Sequence, residues 1–146
     1  MRPLVIVDGA NVVGSVPDGW WRDRLGAARR LRDALAPLAA GGFGPGGPAG
    51  VTPPLEVLLV VEGAARPLAA EEGGPASVTV RAAGGSGDDA IVGLLRERAE
   101  LAEGTAAESA RTCVVVTADR GLRDRVHALG GVVVGPRSLP HLRAGR

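Results

Sequence analysis

Four stretches of this chain are apolar almost without a break: LVIV at 4–7, LEVLLVV at 55–61, TCVVVT at 112–117 and VVVG at 132–135. Each is short and rich in β-branched valine, which suits strands. None shows the polar alternation of a sheet with one wet face, and continuous apolar character marks strands covered on both faces of a parallel sheet. A fifth run, SVTVRA at 77–82, alternates and suits an edge. Helical spacing fills the gaps. Trp21, Leu25, Ala28, Leu31 and Leu35 recur on one face between Trp20 and Leu38, and Ile91, Leu94, Leu95 and Ala102 between Asp88 and Glu103. Leu122, Val126 and Leu129 repeat the pattern from Arg120, and Gly130-Gly131 ends it. Strands alternating with helices imply right-handed crossovers. The expected fold is therefore α/β, a three-layer α/β/α sandwich around a mostly parallel five-stranded sheet.

The 146 residues fit one domain, and a chain of this size buries about 70% of its unfolded surface. Two segments interrupt the pattern. GGFGPGGPAGVTPP, at 41–54, is too rich in Gly and Pro for a helix or a central strand and reads as a mobile connector, either slack chain or a flap over a substrate. GAARPLAAEEGGPA, at 63–76, is a softer break. Both read as loops inside one domain spanning 1–146, because neither half has enough apolar segments to close its own core.

The net charge of +1 gives no global pull toward nucleic acid or anionic lipid, so any such partner must meet a local patch. All 17 basic residues are Arg, which with the Ala, Gly, Pro and Val load reads first as a compositional bias and second as a supply of phosphate-binding forks. The single Cys113 sits in an apolar run, which excludes an internal disulfide. The apolar run in MRPLVIVDG is too short for a signal peptide, and no segment has the length of a membrane span. A soluble, cytoplasmic protein without a membrane partner is expected.

The acids carry the chemistry. Ligands of open α/β sheets bind beyond the carboxyl ends of the strands, near the point where strand order reverses. Asp8 follows the first strand and Asp119 the fourth, while GGSGDD brings Asp88 and Asp89 to the start of a helix on the same side. Each also has a structural reading. Asp119 can cap its helix through the Leu122 N–H. Ser86 and Asp89 resemble a capping box in a turn whose dipole favours acids, and Asp8 and Asn11 suit an Asx-type turn. Taken together, carboxylates gathered at one edge repel unless a cation neutralises them. Oxygen ligands without a His or Cys cluster point to Mg²⁺ or Mn²⁺. His127, late in a helix, and His141, in the tail, read as surface or packing residues. The chain has no GxSxG elbow, no GxGxxG after its first strand and no GxxxxGK[ST], so hydrolase-triad, dinucleotide and P-loop readings lack their signatures.

DGANVVG at the first strand end, GSGDD before the central helix and VVVTADRGL at the fourth strand end resemble, in order and spacing, the NYN nucleases of the PIN-like superfamily, and most closely their YacP-like branch. The likeness runs from Leu4 to about Pro136 and includes VPDGWWRDRLGAARRLRDAL. It implies strand order 3-2-1-4-5, which sets the first and fourth strands side by side. It implies metal-dependent endoribonucleolytic cleavage with RNA as partner, in ribosome-associated form for YacP-like members. Asp8, Asp88 and Asp119 match the metal-binding acids, Asn11 the amide that positions them, and Asp89 is a further metal candidate beside Asp88. Two departures stand out. Ala10 occupies a place where YacP-like chains often carry an aromatic residue, and Gly121 one where the superfamily often has a second acid.

On this reading the chain hydrolyses RNA phosphodiesters with Mg²⁺ or Mn²⁺ at Asp8, Asp88, Asp89 and Asp119. Thr117 is placed to hydrogen-bond a metal ligand. Arg120, Arg123 and Arg125 lie beside the site as candidate backbone contacts. Of the two tryptophans, Trp21 falls on the buried stripe, and Trp20 is the candidate to stack on an unpaired base. Two alternatives keep the same fold: a non-catalytic RNA- or protein-binding module, and a metal-dependent phosphohydrolase of small nucleotides. The sequence fixes no oligomeric state.

Overall fold

The computed structural model describes residues 2–102 and 111–144. Five strands form one sheet: β1 (Leu4–Asp8), β2 (Glu56–Val61), β3 (Val78–Ala82), β4 (Cys113–Val116) and β5 (Val132–Val134). All pairings are parallel and the order is β3-β2-β1-β4-β5. The reversal of order falls beside β1, whose register sets Leu4 against both Glu56 and Cys113. The two strands that end in Asp8 and lead to Asp119 are therefore immediate neighbours.

The helices are α1 (Gly9–Gly14), α2 (Arg24–Ala34), α3 (Leu38–Gly41), α4 (Gly87–Ala102), α5 (Arg120–Ala128) and α6 (Pro140–Ala144). The uninterrupted apolar runs split between two cores because successive side chains of a strand point to opposite faces. Val5, Val7, Val57, Leu59, Val114 and Val116 join Leu31, Leu35 and Leu38 on one face. Leu4, Ile6, Leu58, Val60 and Val115 join Ile91, Leu95, Leu122 and Val126 on the other. Two helical layers thus enclose the sheet. β3 lies at one edge, as its alternating pattern implies. β5 occupies the other edge and is half-buried throughout, although its unbroken valines read as covered on both faces.

Three local expectations are revised. The helix expected from Trp20 to Leu38 is divided: Trp20–Arg22 is a 3₁₀ turn, and α2 begins only after Asp23, whose side chain caps it through the Gly26 N–H at 2.9 Å. This break in phase turns Trp21 outward, 55% exposed, rather than into the stripe. Residues Gly63–Ala70, read as a loop, form a 3₁₀ segment that buries Leu68. The connector at 41–54 has no strand, and α3 reaches only its first residue. It is nevertheless fastened to the core by Phe43 and Val51, and the Arg143 guanidinium bonds the Phe43 carbonyl. The expected central helix reaches Ala102; Glu103 lies outside the described residues.

Candidate functional site

Gly9 shows why α1 starts where β1 stops. A Cβ on it would stand 2.5 Å from the Val60 carbonyl oxygen, so only glycine lets the chain turn this close against β2. The turn leaves Asp8 at the carboxyl end of β1, 4% exposed. The Thr117 hydroxyl donates to Asp8 Oδ2 at 2.9 Å, and the Asn11 backbone N–H also supports the carboxylate. Even so, burial pushes the Asp8 pKa from 3.8 up to about 6, with repulsion from Asp88 and Glu62 adding to the rise.

Thr117 is buried and works in two directions. While its hydroxyl donates to Asp8, its oxygen accepts the Asp119 N–H at 3.2 Å. Asn11 accepts the neighbouring Ala118 N–H through Oδ1 at 2.8 Å. Its side chain therefore pins the segment between β4 and α5. Asp119 caps α5, accepting from Leu122 N at 2.8 Å through Oδ1, as its capping reading requires. Its Oδ2 is not used in that bond.

On the neighbouring side, α4 begins at Gly87, and Asp88 and Asp89 fall in its first turn. Ser86 Oγ accepts the Asp89 N–H at 3.2 Å, one half of the capping box. Asp88 is half-buried, and its pKa is raised, first by burial and then by Asp119 and Glu62. Asp89 is exposed and pairs with Arg125 at 3.1 Å. Arg125 is thereby committed to an acid, whereas Arg120 and Arg123 are exposed on α5.

Glu62 is the site residue that motif reading passes over. It follows β2 directly, and its carboxylate accepts the backbone N–H of Gly87, tying the end of β2 to the start of α4. A Cβ on Gly87 would lie 3.1 Å from Glu62 Oε2 and 3.9 Å from Asp8 Oδ1, so this glycine keeps the space between the two acids open. The signal was present: an acid immediately after a buried apolar run, the same signal that identifies Asp8.

Four acids from four segments therefore lie at one end of the sheet, Asp8 and Asp88 within reach of the charges of the others. Among the described residues no group of three His, Cys, Asp or Glu side chains is set to enclose a metal ion directly. The donor chemistry still fits a hard divalent cation. The ligands are oxygens, Asp8 is buried against its own ionisation, and Mg²⁺ characteristically keeps several waters while using one or two carboxylates and a substrate phosphate. Beside these acids is a cleft of about 420 Å³, lined by residues that include Ala10, Trp20, Arg24, Val61 and Glu62. Among the described residues no helix is long and apolar enough to cross a membrane.

No protein-family model matches the chain, and no curated protein matches it. Among solved structures, Rae1 (YacP) from Bacillus subtilis is similar, with a TM-score of 0.64 and 17% identity over 99% of this chain and 75% of that one. A mutant form of the same protein gives 0.64 and 17% over 98% and 76%. The chain has a YacP-like fold.

Proposed function

We propose that this chain is a divalent-metal-dependent endoribonuclease that hydrolyses RNA phosphodiester bonds at the carboxyl edge of its sheet. The observation that carries the reading is the meeting of Asp8, Glu62, Asp88 and Asp119 with Asp8 buried and its carboxyl held toward the protonated form. A site that stabilises so poorly the negative charge it gathers is suited to a cation. The NYN-like motifs and the YacP-like fold support the same reading.

Asp8, Asp88 and Asp119 would hold the metal, with Glu62 beside them. Mg²⁺ or Mn²⁺ in that place supplies Lewis-acid stabilisation of phosphoryl charge and lowers the pKa of bound water. The remaining work belongs to the chain. Thr117 fixes the rotamer of Asp8, and Asn11 fixes the loop from which Asp119 projects. Arg120 and Arg123 are placed to hold phosphates of the strand flanking the cut. Asp89, paired with Arg125, serves to join α4 to α5. In the reaction a water oxygen bonds to phosphorus and gives up a proton to solvent, the phosphorus–oxygen bond to the leaving ribose breaks, and that oxygen takes up a proton in return.

The test is incubation of the purified protein with end-labelled single-stranded RNA and Mn²⁺ or Mg²⁺, with and without EDTA. Fragments that vanish with chelator and in Asp8→Asn support the nuclease. RNA binding indifferent to chelator, without fragments, makes it a binding module. Turnover of free nucleotides alone makes it a small-nucleotide phosphohydrolase. The YacP-like likeness makes ribosome-bound RNA the first natural substrate to try.

A further inference from the structure

Of the four acids only Glu62 lines the 420 Å³ cleft; the rest of its lining has no part in the chemistry above. Ala10, Val13 and Val61 give it a small-residue apolar floor, and Trp20 and Arg24 stand beside it. The Trp20 ring is half-buried and braced. Trp21 meets it edge-on, with centroids 5.9 Å apart at 87°, and the Arg24 guanidinium lies 5.5 Å from its centroid. Among the described residues Arg24 has no carboxylate partner within ion-pair distance, so its charge is available at the cleft. Glu62 lines the same cleft and is also one of the acids at the sheet edge.

We infer that this cleft seats one unpaired nucleobase of the RNA strand, directly beside the phosphodiester held at the acids. The ligand class rests on the nuclease reading; the seat itself rests on geometry. An indole and a guanidinium are both side-chain surfaces on which splayed-out bases stack. A braced ring loses little freedom when a base arrives. The apolar floor receives a flat heterocycle, and Arg24 at the same place suits the phosphate that the nucleotide carries. Because Glu62 is common to cleft and acids, a nucleotide whose base fills the cleft sets its phosphate next to Asp8 and Asp88.

The opening depends on residue 10. Ala10 is exposed on α1 and leaves the cleft floor clear, so a larger side chain there closes it without touching an acid. Substrate choice would thus be set at a position that takes no part in catalysis: a strand with a free base enters, and a paired duplex, whose bases are stacked away, does not.

The experiment uses the full chain carrying Trp21→Phe, which leaves Trp20 as the sole indole, and Asp119→Asn, which removes turnover on the nuclease reading. In Mg²⁺ buffer, Trp20 emission is followed during titration with single-stranded oligoadenylate and with an abasic ribose-phosphate oligomer of equal length, while anisotropy of labelled oligomers gives the affinity. The expected result is saturable quenching by oligoadenylate, none by the abasic strand, and affinity for oligoadenylate lowered roughly 10- to 100-fold by Ala10→Leu and by Trp20→Ala. Circular dichroism verifies that both variants fold. Equal binding of the two oligomers, Trp20 emission unmoved when anisotropy shows saturation, absence of binding, or unchanged affinity in both variants would overturn the base seat. Chelator-sensitive cleavage by the wild-type chain is scored separately, so either reading can fail without the other.

Discussion

Two regions gather charge from distant parts of the chain, with opposite results. Along the seam between α2 and the segment after β2, Arg29 and Arg32 meet Glu71, and Arg32 also meets Asp33. Every charge there has an opposite. The Arg29 guanidinium holds the Glu71 carboxyl below its usual range, and Glu71 raises Arg29 in return. At the carboxyl edge of the sheet, Asp8 and Asp88 are pushed the other way, first by burial and then by the acids around them, Glu62 and Asp119 included. The seam pairs its charges, whereas the edge gathers more acid than the nearby Arg125, which also holds Asp89, offsets. Pairing of the first kind serves folding; a gathering of the second kind raises the energy of the fold and points to a ligand.

The largest effects that could break this contrast come from removing single charges at the edge. Asp8→Asn and Asp119→Asn should each reduce RNA cleavage by more than about 100-fold, beyond what outer-shell substitutions typically cost a metal site. Neither should unfold the chain. Asn remains a good N-cap at 119, whereas Asp119→Ala should lose about 1 kcal/mol in denaturant titration. If Asp119→Asn cleaved RNA normally, the residue would be a cap and nothing more.

Thr117→Val probes how rigidly the edge is held. It leaves Asp8 without its hydroxyl donor and the Asp119 N–H without its acceptor. Cleavage should fall about 10- to 100-fold, and stability by about 1–3 kcal/mol. A valine variant that kept full activity would show that Asp8 needs no such support.

A third expectation concerns pH. The folded chain binds the Asp8 proton more tightly than the unfolded chain does, since its pKa of about 6 lies above 3.8. Below the unfolded value both forms are protonated and the stability is fully present; it is lost as pH rises through the folded value. Metal-free protein should therefore lose roughly 2–3 kcal/mol between about pH 4 and pH 7 from this group. Asp8→Asn should flatten that slope, and Mn²⁺ at pH 7 should raise the Tm of wild type only. A wild-type stability that climbs with pH over this window without metal would contradict the account of the edge.

The smallest effect belongs to the seam. Glu71→Gln should lower stability slightly, less so at high salt, and leave cleavage unchanged, because its pair with Arg29 is largely exposed and the buried Arg32 keeps Asp33 as a partner. A loss of activity there would erase the distinction between the two regions.

What the sequence revealed follows from how local each signal is. Four strands are legible from unbroken apolar runs and the edge strand β3 from its alternation, although β5 is only half-buried, and Asp8 and Asp119 because they follow such runs. Glu62 obeys the same rule, but it precedes GAARPLAA, which reads as a loop rather than a helix, and so drew no notice. Asp89 could not be separated from Asp88 by sequence, since its pairing with Arg125 depends on how α4 packs on α5. Trp21 leaves the expected stripe because Asp23 restarts the helix and shifts its phase. Phe43 is hidden in the sequence by the glycines around it, because its burial comes from packing into the core on one face of the sheet.

The Thr117 hydroxyl owns one hydrogen, and at present that hydrogen points at Asp8. Should Asp8 take up a proton on the same oxygen, the direction of giving must reverse, and the hydroxyl would then receive from two donors at once. The first turn of α5 would register that change through the Asp119 amide, so that a single buried rotor couples the ionisation of the central strand to the poise of the helix beside it.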